Sequence, residues 1–281
     1  MKLVRFGVAG EEKPGMIDAN GVVRDLSSLL VDIGGEALSP ASLTRLRDIE
    51  PASLPVAPPG VRLGPCVSRP GHFIAVGLNY ADHAEEAGMA IPQEPVLFSK
   101  APNCIVGPND DIIQPKGSTK LDWEVELAIV IGTKARYVEE TQAGAHIAGF
   151  CLANDVSERA FQIERSGQWI KGKSCETFGP LGPWLVTPDE VEVQNLAMWL
   201  DVNGEKRQRG STRTMIFNVN YLVSYISQFM VLEVGDVIIT GTPPGVGLGM
   251  KPPVYLKAGD VITLGVEGLG EQRQKVVPFT G

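Results

Sequence analysis

The stretch LDWEVELAIVIG, residues 121 to 132, sets Glu124 and Glu126 two apart in an otherwise apolar run. Side chains alternate faces along a strand, so both carboxylates share one face while Trp123, Val125, Leu127, Ile129 and Ile131 share the other. Ala128 and Val130 continue the face of the carboxylates, so the charges sit beside packed surface and call for a positive partner. Asp155 ends the run HIAGFCLANDV, where a strand gives way to the helical spacing of SERAF. Together the three carboxylates offer only oxygen donors, a set that suits a hard cation such as Mg²⁺ or Mn²⁺ and suits zinc poorly. Plainer readings stand beside this one: ordinary glutamates on a half-exposed strand, and Asp155 as a helix cap.

Other residues could work beside such a centre. GLNYADHAEEAG, residues 77 to 88, places His83 and Glu86 three apart, on one face of a helix. A histidine oriented by a carboxylate is a general base able to activate water, and the alternative is a surface helix with one histidine among acids. His72 and His146 have no such partner nearby in the chain and read as structural. Lys173, in the glycine-bounded WIKGKSCETFGP, is either solvated or able to reach a developing oxyanion. Lys100, after the apolar run in VLFSKAPN, is open in the same way. ITGTPPGVGLG lacks the GK[ST] ending of a phosphate loop and does not fit GxGxxG opening a helix, which argues against nucleotide binding. Its better use is a tight turn in which Thr242 and nearby backbone N–H groups hold a substrate carboxylate.

These residues need a frame. KLVRF, GMIDA and GVVRDL read as a small β meander with Asn20-Gly21 as a turn, and SPASLTRLRDIEP as a helix with Ser39 as N-cap and Pro40 at its first position. The proline-rich residues 51 to 65 follow as a linker, so 1–66 reads as a small N-terminal domain and 67–281 as the catalytic one. Apolar runs between glycine and proline turns fill the second part with strands. Helical spacing appears in SERAFQIERSG and in NVNYLVSYISQFM, where Val219, Leu222, Val223, Ile226 and Met230 share a side. EVGDVIITG and KAGDVITLG form two similar turn-and-strand units. The fold class expected is α+β and β-rich.

With 281 residues and a formal charge of −8, the chain has size enough for a substantial core and no basic run for nucleic acid. No stretch approaches the roughly 20 apolar residues of a membrane helix, and the first residues lack a signal-peptide core, so the expected location is cytoplasmic. Cys66, Cys104, Cys151 and Cys175 form no CxxC pair and read as free thiols.

Taken in order, GLNYADHAEE, PVLFSKAPN, DWEVELAIVIG, ANDVSERAFQ, GKSCETFGP, NGEKRQRGSTRTMIF and VGDVIITGTPPGVG resemble the fumarylacetoacetate hydrolase family over about residues 70 to 279. The resemblance implies a mixed β-sheet roll, a Mg²⁺ or Mn²⁺ cofactor, a 2-oxo acid substrate and a homodimer or larger homo-oligomer. It implies metal ligands at Glu124, Glu126 and Asp155, a catalytic dyad at His83 and Glu86, and a catalytic lysine at Lys173. Arg159, Gln162 and Thr242 fall where relatives contact substrate, and Lys100 is added to that set. Leu78 departs from some acylpyruvate-cleaving relatives, which have arginine there. The implied reaction is hydrolysis of the C3–C4 bond of a 2,4-diketo acid, such as a diketo-deoxy sugar acid from rhamnonate or fuconate breakdown. Oxaloacetate decarboxylase, hydratase, tautomerase and ureidoglycolate lyase are the alternatives on the same metal site, with a non-catalytic 2-oxo acid binder as a reading of another class.

Overall fold

The structure, a computed structural model, describes residues 1–86 and 90–280, apart from the side chains of His83, Ala84 and Glu86. Its centre is a mixed nine-stranded sheet in the order Val23–Asp25, Lys13–Ile17, Lys2–Phe6, Leu185–Val186, Ile147–Asn154, Val125–Ile131, Val237–Ile239, Phe73–Gly77 and Val96–Lys100. All neighbours are antiparallel except Val237–Ile239 with Phe73–Gly77. A second, five-stranded sheet runs Glu205–Ser211, Ala197–Val202, Val261–Val266, Gly270–Pro278 and Ile112–Gln114. The class is α+β with mixed sheets and short helices.

Val125–Ile131 is buried at all seven positions. Neither face is solvated, so a half-exposed strand with surface glutamates is not what this sequence forms: aliphatic residues line one side, and the carboxylates share the other with Ala128 and Val130. The N-terminal meander forms as its turn chemistry directs, with Asp18 accepting from the N–H groups of Asn20 and Val22 at 2.9 Å. Its first strand pairs with Leu185–Val186, Leu3 opposite Leu185, so the meander extends the main sheet.

Helices follow their caps. Ser39 accepts from Ser42 N at the start of Pro40–Arg47, and Asn218 accepts from Tyr221 N at the start of Val219–Ser227, which buries Val219, Leu222, Val223 and Ile226. SERAFQIERSG forms less helix than its spacing suggests: Ser157–Glu158 is a strand paired with Leu121–Asp122, and the helix spans only Arg159–Ile163. The paired Gly-Asp units both form. Asp236 accepts from Glu233 N at 2.8 Å and Asp260 from Lys257 N at 2.9 Å, each closing the turn before its strand. Asp236 also pairs with His72, distant in the chain, whose Nδ1 lies 2.9 Å from Asp236 Oδ2, clamping a turn.

Candidate metal centre

Register brings the three carboxylates together. In the antiparallel pair of Ile147–Asn154 with Val125–Ile131, Ala153 stands opposite Glu126 and Asn154 opposite Val125. The next residue, Asp155, therefore emerges beside Glu124, and its N–H donates to the Glu124 carbonyl at 2.9 Å. One carboxylate oxygen from each of Glu124, Glu126 and Asp155 lies within 4.8 Å of the others, and all three residues are buried. Asp155 is not a helix cap. Glu158 does that work, accepting from Ala160 N.

Three cations meet this cluster from separate elements. Lys173 Nζ donates to Glu124 Oε2 at 2.7 Å and to Asp155 Oδ2 at 2.6 Å. Lys100 Nζ donates to Asp155 Oδ1 at 2.6 Å and to the Val156 carbonyl at 3.2 Å. Arg159 Nη2 donates to Glu124 Oε1 at 2.6 Å. Lys173, expected in a loop, closes a short helix Ile170–Lys173 and is 2% exposed. That helix packs tightly because Gly172 lacks a side chain: a Cβ there would lie 2.4 Å from Gln162 N and from the Glu158 carbonyl. Lys100 is wholly buried at the end of Val96–Lys100.

Asp122, unassigned by the sequence reading, is a fourth buried carboxylate. It accepts from Arg159 Nε at 2.8 Å, Gly247 N at 2.7 Å and Leu248 N at 3.0 Å, so it aims Arg159 and ties down the glycine-rich turn. Arg159 Nη1 also donates to Gln162 Oε1 at 3.1 Å, while the Gln162 N–H groups meet no acceptor among the described residues. Asn154, equally unforeseen, accepts from Glu124 N at 3.2 Å, where the backbone has left its ladder. An Asp inside a buried run, and an Asn directly before Asp155, were the available signals.

Electrostatically the four carboxylates are unequal. Asp122, Glu124 and Asp155 each touch a cationic side chain. Burial raises the pKa of Glu124, but the Arg159 guanidinium and the Lys173 ammonium outweigh it and hold the group at about 2. Glu126, 2% exposed, accepts a hydrogen bond from Gly241 N at 2.7 Å and meets no cation among the described residues. Burial first, then the charges of Asp155 and Glu124, push its pKa well above the ordinary 4.5. A buried, all-oxygen triad with one carboxylate lacking a counter-charge fits a bound divalent cation.

The turn after Val237–Ile239 serves this centre rather than standing free. Gly241 N is committed to Glu126, and the Thr242 hydroxyl donates to the Val125 carbonyl at 2.9 Å. The preceding Thr240 carbonyl accepts from Asn79 Nδ2 at 2.8 Å, and Asn79 also pairs with both backbone groups of Phe217. Asn79 thus docks the start of the helix Ala81–Glu86 next to the residue holding Glu126. Leu78, at φ 51°, makes the left-handed turn into that helix. His83 and Glu86 lie on this helix, but their side chains, and so the dyad itself, lie outside the described residues.

Comparison with known proteins agrees with this geometry. The model of the fumarylacetoacetate (FAA) hydrolase C-terminal region matches residues 72–277. A Burkholderia ambifaria protein, named only provisionally as a hydrolase, is 60% identical over 276 residues, 98% of each chain. Among solved structures, fumarylacetoacetate hydrolase from Exiguobacterium antarcticum superposes with a TM-score of 0.85 at 39% identity, covering 99% of this chain and all of that one. A 5-carboxymethyl-2-hydroxymuconate delta-isomerase from Mycobacterium smegmatis gives 0.80 at 34% identity, covering both chains fully. Fold and site define a β-rich protein built around a buried acidic triad able to hold a metal ion. The chain belongs to the fumarylacetoacetate hydrolase family.

Proposed function

We propose that the chain is a divalent-metal-dependent hydrolase cleaving the C3–C4 bond of a 2,4-diketo acid of acylpyruvate type. The products are pyruvate and a carboxylic acid, with 2,4-diketo-3-deoxy sugar acids as the first substrates to try. The observation behind this reading is the buried Glu126, without a cationic partner among the described residues, beside the ion-paired Glu124, Asp155 and Lys173. A Mg²⁺ or Mn²⁺ ion held by Glu124, Glu126 and Asp155 supplies Lewis-acid polarisation of the oxygens of a 2-oxo acid. With a dication added, the four carboxylates and three cations of the cluster leave one positive charge, which the carboxylate of such a substrate neutralises.

The residues of the chain then divide the work. His83, oriented by Glu86, takes a proton from water as the water oxygen bonds to C4. The Lys173 ammonium donates to the oxyanion that forms on the C4 oxygen. The C3–C4 bond breaks, its electron pair leaves with the pyruvate fragment as an enolate, and the proton that His83 took from water is returned to C3. Arg159 and the amide N–H groups of Gln162, which meet no acceptor among the described residues, orient the substrate carboxylate, with Lys100 and Thr242 holding the walls around it. The Exiguobacterium relative supports hydrolysis, since fumarylacetoacetate is a 1,3-diketone. The Mycobacterium relative favours a second reading, isomerisation by proton transfer alone. We also propose a homodimer, for which light scattering should give twice the 30.1 kDa chain mass.

NMR product analysis with Mg²⁺, with and without chelator, tests both readings on an acylpyruvate, a diketo-deoxy sugar acid and oxaloacetate. Chelator-sensitive release of pyruvate and the matching carboxylic acid is expected. Isomerised product without cleavage would favour the second reading, and pyruvate from oxaloacetate alone would make the enzyme a decarboxylase.

A further inference from the structure

We infer that Gln208 is a positioning residue that sets the spacing between Glu124 and Glu126, an inference resting on the reading of those two and Asp155 as ligands of a divalent cation. Val125 lies between the two glutamates. The adjacent strand Val237–Ile239 pairs only as far as Ala128, so the backbone groups of Val125 on that side have no ladder partner. A buried amide left unpaired is costly. Side chains take the place of the strand: the Val125 carbonyl accepts from the Thr242 hydroxyl, and Val125 N donates to Gln208 Oε1 at 2.9 Å.

The other end of Gln208 is as fully used. Its Nε2 donates to Thr242 Oγ1 and to the Pro243 carbonyl, both at 2.8 Å. Because Thr242 Oγ1 accepts from Gln208, its own proton is committed to Val125. One wholly buried amide therefore joins the backbone between two ligands to the turn whose Gly241 N holds one of them, Glu126.

Gln208 reaches this point from the other sheet through a β-bulge. In the pair Ala197–Val202 with Glu205–Ser211, Leu200 stands opposite Gln208 and Asp201 opposite Lys206, leaving Arg207 as the extra residue. Such a bulge re-aims the side chains beyond it. Lys206 and Arg209 are exposed while Gln208 is not. The turn rests directly on the bulge at Gly245, φ 103°, where a Cβ would lie 2.1 Å from the Arg207 carbonyl.

The test is Mn²⁺ titration of the full-length protein followed by electron paramagnetic resonance, with turnover measured alongside. Gln208→Met should raise the Mn²⁺ Kd about tenfold and alter the bound-ion spectrum, the usual scale for a supporting partner of a metal ligand. Gln208→Glu keeps the acceptor for Val125 and should fall between, at about threefold, a graded rescue that a general packing defect would not produce. Exposed Lys206→Met, on the same strand, should match wild type. Should Gln208→Met not fold, Gln208→Glu decides, and an unchanged Kd overturns the inference. Wild-type binding matched by Gln208→Met, in Kd and spectrum, also overturns it. Wild-type protein that binds no Mn²⁺ would instead remove the metal-site reading beneath it.

Discussion

Two clusters of partly or wholly buried charge are built on different terms. Where the meander meets the proline-rich segment, Arg5 pairs with Asp32 at 2.6 Å and with Glu12 at 3.4 Å, and Arg62 pairs with Glu12 at 3.0 Å and with Asp110 at 2.5 Å. Every carboxylate there meets a guanidinium, mostly in the forked geometry that suits arginine. At the triad, lysines and an arginine pair with Asp122, Glu124 and Asp155, while Glu126, buried, meets one backbone N–H and no cation among the described residues. A closed network of ion pairs needs nothing further and serves to fasten chain segments. A buried cluster with one carboxylate that meets no cation among the described residues is able to hold one.

The largest expected effect breaks the contrast at its open end. Glu126→Gln should lower turnover about a thousandfold, the scale of losing several kcal/mol of metal-assisted stabilisation, while chelator-treated protein melts no lower than wild type. Steady-state kinetics and thermal melts of the same sample read both halves. Next comes Lys173→Met, which takes one cation from Glu124 and Asp155 together and leaves each a single one. It should cost about a hundredfold in kcat and about 3 kcal/mol of stability, read by kinetics and urea titration. Asp32→Asn, in the closed network, should cost only about 1 kcal/mol by the same titration because its pair is partly exposed, and should leave kcat unchanged.

The smallest effect sharpens the comparison through its sign. Burial would raise the Asp32 pKa, but its bonds to Arg5 outweigh this and lower it below the usual 3.8, so its contribution is present above that value and fades as pH falls through the folded pKa. Glu126 is shifted the other way. Its contribution in chelator-treated protein is present below the ordinary 4.5 and fades as pH rises through the raised folded value. Melting temperature against pH should therefore lose part of its acid limb in Asp32→Asn and part of its fall above pH 4.5 in Glu126→Gln.

Much of the centre was legible because local pattern determines it. Two carboxylates at a period of two in an apolar run must share a face, and Asp155 lies where a strand ends. Burial was under-read, since a strand covered on both faces has no alternation to announce it. The partners were harder. Lys100 and Lys173 come from an edge strand and a short helix that meet the triad only in the folded chain, and nothing in VLFSK or WIKGKS marks its lysine as buried. Gln208 was hidden by its bulge: strict alternation would group it with exposed Lys206, and one extra residue turns it inward. The link between Leu3 and Leu185 was equally out of reach, because a two-residue strand leaves no periodicity to read.

The most direct measurement is calorimetric titration of Mg²⁺ into chelator-stripped protein near neutral pH, for wild type and Glu126→Gln. If Glu126 is the carboxylate waiting for a cation, wild type takes up one ion per chain, and Glu126→Gln binds far more weakly. A wild type that takes up no ion, or a Glu126→Gln that binds as tightly as wild type, would contradict it.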